Sequence, residues 1–416
     1  MLFKIIPIVL LTAVLVPGTS PAKEPPPVYD MVVVGAGVVG SATAYSLAKR
    51  SREKILVLEQ ISDPARAFGS STGESRITRK ISIENPEYMS LNRKSVEILS
   101  ELAKKTGTEL IRNKDFLTIS AASGQSQFDL IRKEAERSGI SHKFYANRQE
   151  ILRDHPTIKL PATGTYIALK EFGGGGTGVM HAHKIIAALR SQARALGASF
   201  HYGERLENLQ KSGPLLTLRT DQREYRARRV ILTTGFWTSE FLGLPLRPVP
   251  NVLYYKKMTA AEEAGLPIMI VHDSATRHHF YSLPEGQDLK IAFHMLDPDV
   301  QNPGPEAIRS VLSKFYRFSD TVTDRVGTCF YTITPDKKPI IGPVAGWNGQ
   351  LMVGAAFQGN GFKMAAGIGD LLATYALGEK PAYNYEAFSP DRFTVPKGQK
   401  NVAKETSLLP KKISAI

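Results

Sequence analysis

The stretch Tyr29-Asp30-Met31-Val32-Val33-Val34-Gly35-Ala36-Gly37-Val38-Val39-Gly40 decides how the rest of the chain is read. Met31 to Val34 form an apolar run of the kind that makes a buried strand. A helical pattern follows through Arg50, and a second apolar run, Ile55-Leu56-Val57-Leu58, ends on Glu59. Strand, glycine turn, helix, strand and acid together are the dinucleotide-binding unit. Gly35 permits the sharp turn, Gly37 admits a diphosphate against bare backbone, and Gly40 lets the helix press on the strand. The helix N-terminus offers unpaired N–H groups and a positive dipole end to the diphosphate. Glu59 can accept from both ribose hydroxyls, and its charge would repel a 2′-phosphate. FAD and NAD share this unit, so it leaves the nucleotide open.

A chain of 416 residues is too long for one ordinary domain, and two are expected. With 42% hydrophobic and 22% charged residues it reads as globular. The net charge of +14 comes from scattered basic residues, several of them in the tail from Lys397 to Lys412. No basic stripe interleaves with aromatics, so the charge argues for anionic substrates rather than nucleic acid.

At the N-terminus, Lys4 precedes an apolar run from Ile5 to Val16 that only Pro7 and Thr12 interrupt. Pro17-Gly18 breaks the run, and Ser20-Pro21-Ala22 places small residues where a signal peptidase reads. Residues 1–22 are therefore expected to be a signal peptide, 23–28 a linker and 393–416 a basic flexible tail. The expected location is secreted or periplasmic, with an uncleaved signal anchor as the alternative; the run is short for stable membrane insertion. Cys329 is the single cysteine, so no intrachain disulfide can form.

Helices are predicted over 88–105, 127–137, 181–196 and 305–318, with a strand-rich region over 251–325. Gly173 to Gly176 lacks the Lys-Ser/Thr of a phosphate-binding loop and reads as a turn. His181 with His183, and His278 with His279, have spacings that argue against a metal. Val230 to Gly235 is a buried strand ending in Thr234-Gly235, of the type that closes a nucleotide domain. Arg76 and Arg79 share one face of a turn and read, on spacing alone, as surface charge. Asp288 to His294 alternates, which sets Lys290, Ala292 and His294 on one face; on spacing alone that face is solvated. Cys329 and Tyr331 share a strand face, where a lone cysteine reads as a small hydrophobe. Gly354 to Lys363 runs into a helix over 364–377, a glycine-rich start that suits an anion or a plain turn.

The pattern Cys329-x-Tyr331-x-x-Thr334-Pro335-Asp336, followed by Gly359-x-Gly361-Phe362-Lys363, resembles the monomeric sarcosine oxidase family, which includes pipecolate and N-methyltryptophan oxidases. Gly69-Ser70 to Arg79 and Lys290-x-x-x-His294 match two further segments, and the resemblance spans about residues 29–393. It implies an α/β fold: a glutathione-reductase-type, Rossmann FAD-binding domain (28–112, 173–240 and 327–392) interleaved with an antiparallel-sheet substrate domain (113–172 and 241–326). It implies an FAD-dependent amine oxidase acting on a secondary α-amino acid, with O2 as acceptor and hydrogen peroxide as product, in a monomer. Cys329 would carry FAD covalently, and Ser70, Ser71, Thr234, Gly235, Gly359 and Gly361 would join Gly35, Gly37, Gly40 and Glu59 around it. Lys290 would activate oxygen, Arg79 and Lys363 would clamp the substrate carboxylate, Tyr331 and His294 would line the substrate cavity, and Arg76 would lie beside the flavin. The chain departs from the family pattern at Ser71-Thr72 and Asn360, where histidines are common, at Gly342, where an acid is usual, and at Phe280, where an aromatic hydroxyl is common. Three rivals remain: a dehydrogenase of the same fold, a catalytically idle flavoprotein binding module, and a nicotinamide dehydrogenase.

Overall fold

The computed structural model describes residues 25–63, 69–81, 86–121, 125–273, 278–294, 299, 301–317 and 325–393. The expected signal peptide and basic tail lie outside the described residues, except Phe393. No helix among the described residues is long and apolar enough to cross a membrane.

The glycine turn sits at the centre of the first sheet. Val28–Val34 pairs in parallel with Ile55–Glu59 on one side and Glu224–Leu232 on the other, and Ile55–Glu59 pairs in parallel with Ser199–Tyr202. Glu224–Leu232 divides its outer edge: its first half pairs with the antiparallel strand Leu215–Thr220 and its last three residues with Leu351–Ala355 in parallel. Met31–Val34 and Ile55–Leu58 are covered on both faces and are continuous apolar runs, whereas the first half of Glu224–Leu232 alternates buried and exposed residues. Helix Val38–Arg50 packs between Ala182–Ala195 and Gly361–Ala376, and Pro86–Thr106 packs on Gly361–Ala376, in one apolar cluster. The last of these helices approaches its neighbours at two glycines. A Cβ on Gly367 would lie 2.1 Å from Leu91 O, and one on Gly369 would lie 2.6 Å from backbone atoms of Ala42 and Thr43.

The second sheet has eight strands in the order Val326–Ile333, Arg247–Lys257, Asp288–Phe293, His278–Glu285, Ile268–Asp273, Phe116–Ala121, Tyr166–Glu171 and His142–Tyr145. One pair in it, Ile268–Asp273 with Phe116–Ala121, is parallel, so the sheet is mixed where an antiparallel one was expected. The two strands belong to different excursions from the first sheet, so no hairpin forces them antiparallel. The strand carrying Cys329 belongs to this second sheet, through Arg247–Lys257. The chain rejoins the first sheet at Ile340–Pro343, later than the boundary at 327 that the sequence suggested. The segment 111–121 divides between two sheets: Ile111–Asn113 joins Ser75–Thr78 and Gly178–His181 in a three-stranded sheet, and Phe116–Ala121 joins the large one.

Helix bounds fall close to the sequence reading, at Pro86–Thr106, Gln125–Arg137, Ala182–Ala195 and Pro305–Phe315. The final helix begins three residues earlier than expected, at Gly361, so Lys363 lies in its first turn.

Candidate active site

A cleft enclosing about 1440 Å³, including its open mouth, runs from the glycine turn to the edge of the second sheet. Nine of the eleven residues expected to bind the nucleotide line it: Gly35, Gly37, Glu59, Ser70, Ser71, Thr234, Gly235, Gly359 and Gly361. Gly40 and Cys329 do not. Gly40 acts from beneath, since a Cβ there would lie 1.8 Å from Gly35 O and 2.5 Å from Thr233 Oγ1. It is therefore what lets the helix start directly on the strand end. Gly37 is different: the nearest atom to a Cβ on it is Ser71 Oγ at 3.3 Å, so its bare face is turned to the cleft. Ser71 Oγ accepts from Val38 N at 3.1 Å, at the helix start where a diphosphate would compete for the same N–H. Glu59 accepts from Ala36 N at 2.7 Å and from Ile61 N at 3.0 Å, one bond per carboxylate oxygen. A carboxylate has about four lone-pair sites, so acceptor capacity is left for ribose hydroxyls. Glycine backbone, helix N-terminus and acid together fit an FAD.

Several residues of the cleft have no signal in the motif. Arg190, from the helix Ala182–Ala195, is buried and lines the cleft, and both its Nε and its Nη2 donate to Ala36 O. It thereby ties the glycine turn from behind. Glu204, Arg205, Phe236 and Trp237 line other parts of the wall. Only the tertiary structure brings these together, because Glu204 and Arg205 follow Ser199–Tyr202 while Phe236 and Trp237 follow Glu224–Leu232.

At the other end, register sets the chemistry. Asn251 pairs with Cys329, Val249 with Tyr331, Leu253 with Ala292, Tyr255 with Lys290 and Tyr281 with Ala292. Residues paired directly across a sheet share a face, and alternate residues stay on it. Cys329, Tyr331, Lys290, His294, Tyr255 and Tyr281 therefore occupy one face. Tyr331 lines the cleft, and its hydroxyl lies 3.3 Å from His294 Nδ1. A Cβ on Gly359 would strike the Tyr331 ring at 2.8 Å and His294 at 3.2 Å, so these three close on one another. Tyr281 bonds to Tyr331 through its hydroxyl. Burial holds both phenols well above their ordinary range, so both are neutral O–H groups. The aromatic hydroxyl found missing at Phe280 is thus supplied one residue on. Phe280 points to the opposite face, where it packs on Phe315 with ring centres 5.1 Å apart.

Two expectations of a solvated position are overturned. Lys290 is 2% exposed, and every residue of Asp288–Phe293 is buried, because the sheet face expected to meet water is covered by the strand Ser75–Thr78. Lys290 Nζ donates to Ser75 O at 2.7 Å, to Ser75 Oγ at 2.7 Å and to Glu285 Oε2 at 2.5 Å. Burial and the nearby Arg76 push its pKa down to about 8, with Glu285 acting in the opposite sense. Arg79 is 9% exposed rather than a surface charge. Arg76 is half-buried, lines the cleft and binds Ser70 O, Thr72 O and Ser75 O, so it ties down the segment against the cofactor space.

The expected carboxylate clamp is not brought together. Arg79 faces a smaller cavity with Ile81, Phe116, Thr118, Ile131, Leu169 and Glu171, and its guanidinium lies 5.4 Å from the centre of the Phe116 ring. Lys363 donates to Asn360 Oδ1 and, like Lys290 and His294, is outside the lining of the large cleft. Cys329 is buried beside Tyr331; burial pushes its thiol pKa up, and Arg76 and Lys290 act against that rise. Among the described residues no group of three His, Cys, Asp or Glu side chains could hold a metal ion.

The family model for FAD-dependent oxidoreductases matches residues 30–375. Human peroxisomal sarcosine oxidase is 30% identical over 391 residues, covering 88% of this chain and 96% of that protein. Monomeric sarcosine oxidase from Bacillus sp. strain NS-129 is 27% identical, covering 88% of this chain and 97% of that protein. Among solved structures, L-proline dehydrogenase from P. horikoshii superposes with a TM-score of 0.74 at 18% identity, covering 88% of this chain and 98% of that one, which is a likeness of fold. With the glycine turn, Glu59 and Ser71 all set along one cleft, and the match running through both sheets, the chain belongs to the FAD-dependent oxidoreductase family.

Proposed function

We propose that the protein oxidises a secondary α-amino acid, N-methylated or cyclic, to the imine, and that O2 is the electron acceptor. The observation that carries this reading is the single sheet face on which Tyr331, His294, Tyr281 and Lys290 lie, with Tyr331 reaching the cofactor cleft. FAD held there would supply the redox chemistry, as the acceptor of a hydride equivalent from the carbon next to nitrogen. The protein's own part is positioning and charge. Neutral Tyr331 and Tyr281 offer O–H groups to a small polar substrate without adding charge. Lys290 places an ammonium where negative charge develops on oxygen, as O2 takes two electrons and two protons to become hydrogen peroxide. Arg79 and Lys363 hold the substrate carboxylate in this reading, with a guanidinium fork and a second cation as the physical rationale. Arg79 must then leave the cavity it shares with Phe116 and Glu171.

Further parts of the proposal are a thioether from Cys329 to the cofactor, a monomeric state, and export directed by residues 1–22. The cysteine's place two residues from Tyr331, on the same face, supports the first. The test is anaerobic mixing of the purified yellow protein with sarcosine, pipecolate and proline, followed by air. Bleaching by one of these and peroxide on admission of O2 is expected. Bleaching without peroxide would transfer the reading to a dehydrogenase, and no bleaching by any amino acid would refute it.

A further inference from the structure

The strands His278–Glu285 and Asp288–Phe293 meet at a two-residue turn, Gly286-Gln287, with Gly286 at φ +62° as such a hairpin requires. Register sets Glu285 opposite Asp288 and Leu283 opposite Lys290, so Glu285 lies diagonally across from Lys290 on the same face. The Glu285 side chain is 0% exposed. Its Oε2 accepts from Lys290 Nζ at 2.5 Å, from Ser75 Oγ at 2.6 Å and from Ser75 N at 3.1 Å. Its Oε1 accepts from Arg325 Nη2 at 3.0 Å, and Arg325, whose side chain is 49% exposed, also binds Asp288 and stacks on Tyr255. All three ammonium protons of Lys290 are placed by this arrangement.

We propose that Glu285 is a positioning residue for the oxidative half-reaction: it holds the Lys290 ammonium in place and protonated, and so sets how fast O2 reoxidises the cofactor. The inference rests on the oxygen-activating role of Lys290 given above. A buried ammonium beside another cation would shed its proton unless a carboxylate compensated it. The groups facing Lys290 are Arg76 and Ser75 from Ser75–Thr78, Tyr255 from Arg247–Lys257, Cys329 from Val326–Ile333, Asp288 from its own strand, and Arg325 behind Glu285. Glu285 is the acid among them that touches Nζ. The overall step is balanced by O2 alone, which takes two electrons and two protons from the reduced cofactor and leaves it oxidised, with hydrogen peroxide released.

The test uses Glu285→Gln, Glu285→Asp and Lys290→Met with two readouts. The first is the titration of Lys290 in the apoprotein, made in a Cys329→Ser background, by NMR of lysine labelled with carbon-13 at Cε, with the resonance identified by its loss in Lys290→Met. The second is stopped-flow measurement of cofactor reduction by substrate and of reoxidation by O2, each across pH. Wild type is expected to titrate near pH 8. Glu285→Gln is expected to lower that midpoint by at least one unit, move the alkaline fall of reoxidation by the same amount, and slow reoxidation by at least about fivefold at pH 8. Reduction by substrate should change less than twofold, and Glu285→Asp should fall between the two. If Lys290→Met leaves reoxidation unchanged, the oxygen-activation reading fails. If Lys290→Met slows it but Glu285→Gln moves neither the midpoint nor reoxidation, the role of Glu285 alone is overturned. Should Glu285→Gln not fold, Glu285→Asp decides: a midpoint within a quarter unit of wild type overturns the proposal.

Discussion

Gly37 and Gly40 are three residues apart in one motif, and the structure assigns them opposite vulnerabilities. A methyl on Gly40 would lie 1.8 Å from Gly35 O and 2.5 Å from Thr233 Oγ1. The first contact is with backbone, so no side chain can swing aside. Ordinary contact would need the helix to retreat by about 1.5 Å from a sheet whose two central strands bury it on both faces. Overpacking of this kind costs about 1–3 kcal/mol, and the backbone clash puts Gly40→Ala at the upper end. The gain from alanine in a helix returns about 1 kcal/mol, for a net loss of about 2 kcal/mol. Gly37→Ala meets only Ser71 Oγ at 3.3 Å, a contact a hydroxyl can relax, so the apoprotein should lose less than about 0.5 kcal/mol. Its methyl occupies the path of the diphosphate instead, and FAD affinity should fall tenfold or more, about 1.4 kcal/mol. Both variants are to be made in a Cys329→Ser background, so that FAD is exchangeable. Urea unfolding of the apoprotein reads the first effect, and flavin-fluorescence titration reads the second. A Gly40→Ala apoprotein as stable as its parent would refute the helix–strand argument. A Gly37→Ala protein that loses stability while keeping its FAD affinity would refute the placing of Gly37 on the diphosphate path.

The Glu285 carboxyl is held down to about 2 by Lys290 and Ser75 against the opposing effect of burial. A folded pKa below the unfolded one gives stability that is complete above about pH 4.5 and is lost as pH falls through about 2, worth about 3 kcal/mol over that window. Apoprotein melting between pH 5 and 2 should show this loss, and Glu285→Gln should show a shallower one; equal slopes would contradict the assignment. Acid-precipitated wild-type protein should keep its yellow colour and Cys329→Ser should release it, whereas free flavin from wild type would make Cys329 a buried bystander. Only the neutral substrate amine can give up a hydride equivalent readily, so cofactor reduction should rise with pH towards the alkaline side. A rate flat from acid to alkaline pH would refute that requirement.

Local order carried the nucleotide half of the protein. Gly35, Gly37, Gly40 and Glu59 lie within one short segment, and their roles follow from φ angles, bare backbone and strand length that neighbouring residues impose. The same holds for the alternation that set Lys290 with His294, and Cys329 with Tyr331, on shared faces. What alternation could not say is which face meets water. Lys290 read as solvated because burial depends on the strand Ser75–Thr78, more than two hundred residues earlier, and a charge there is tolerable only with Glu285 and Ser75 around it. One trace of this was present in the sequence: Glu285 and Asp288 flank a Gly286-Gln287 turn just before Lys290. Arg190 and Tyr281 left no such trace, since one reaches Ala36 from a distant helix and the other depends on register in a hairpin one residue off from Phe280. Sequence alone thus determined that a dinucleotide binds at the glycine turn and which residues share a strand face, because those are written in local spacing. The tertiary structure decided which side chains are buried, paired and charged, because burial and ion pairing are set by segments that only folding brings into contact.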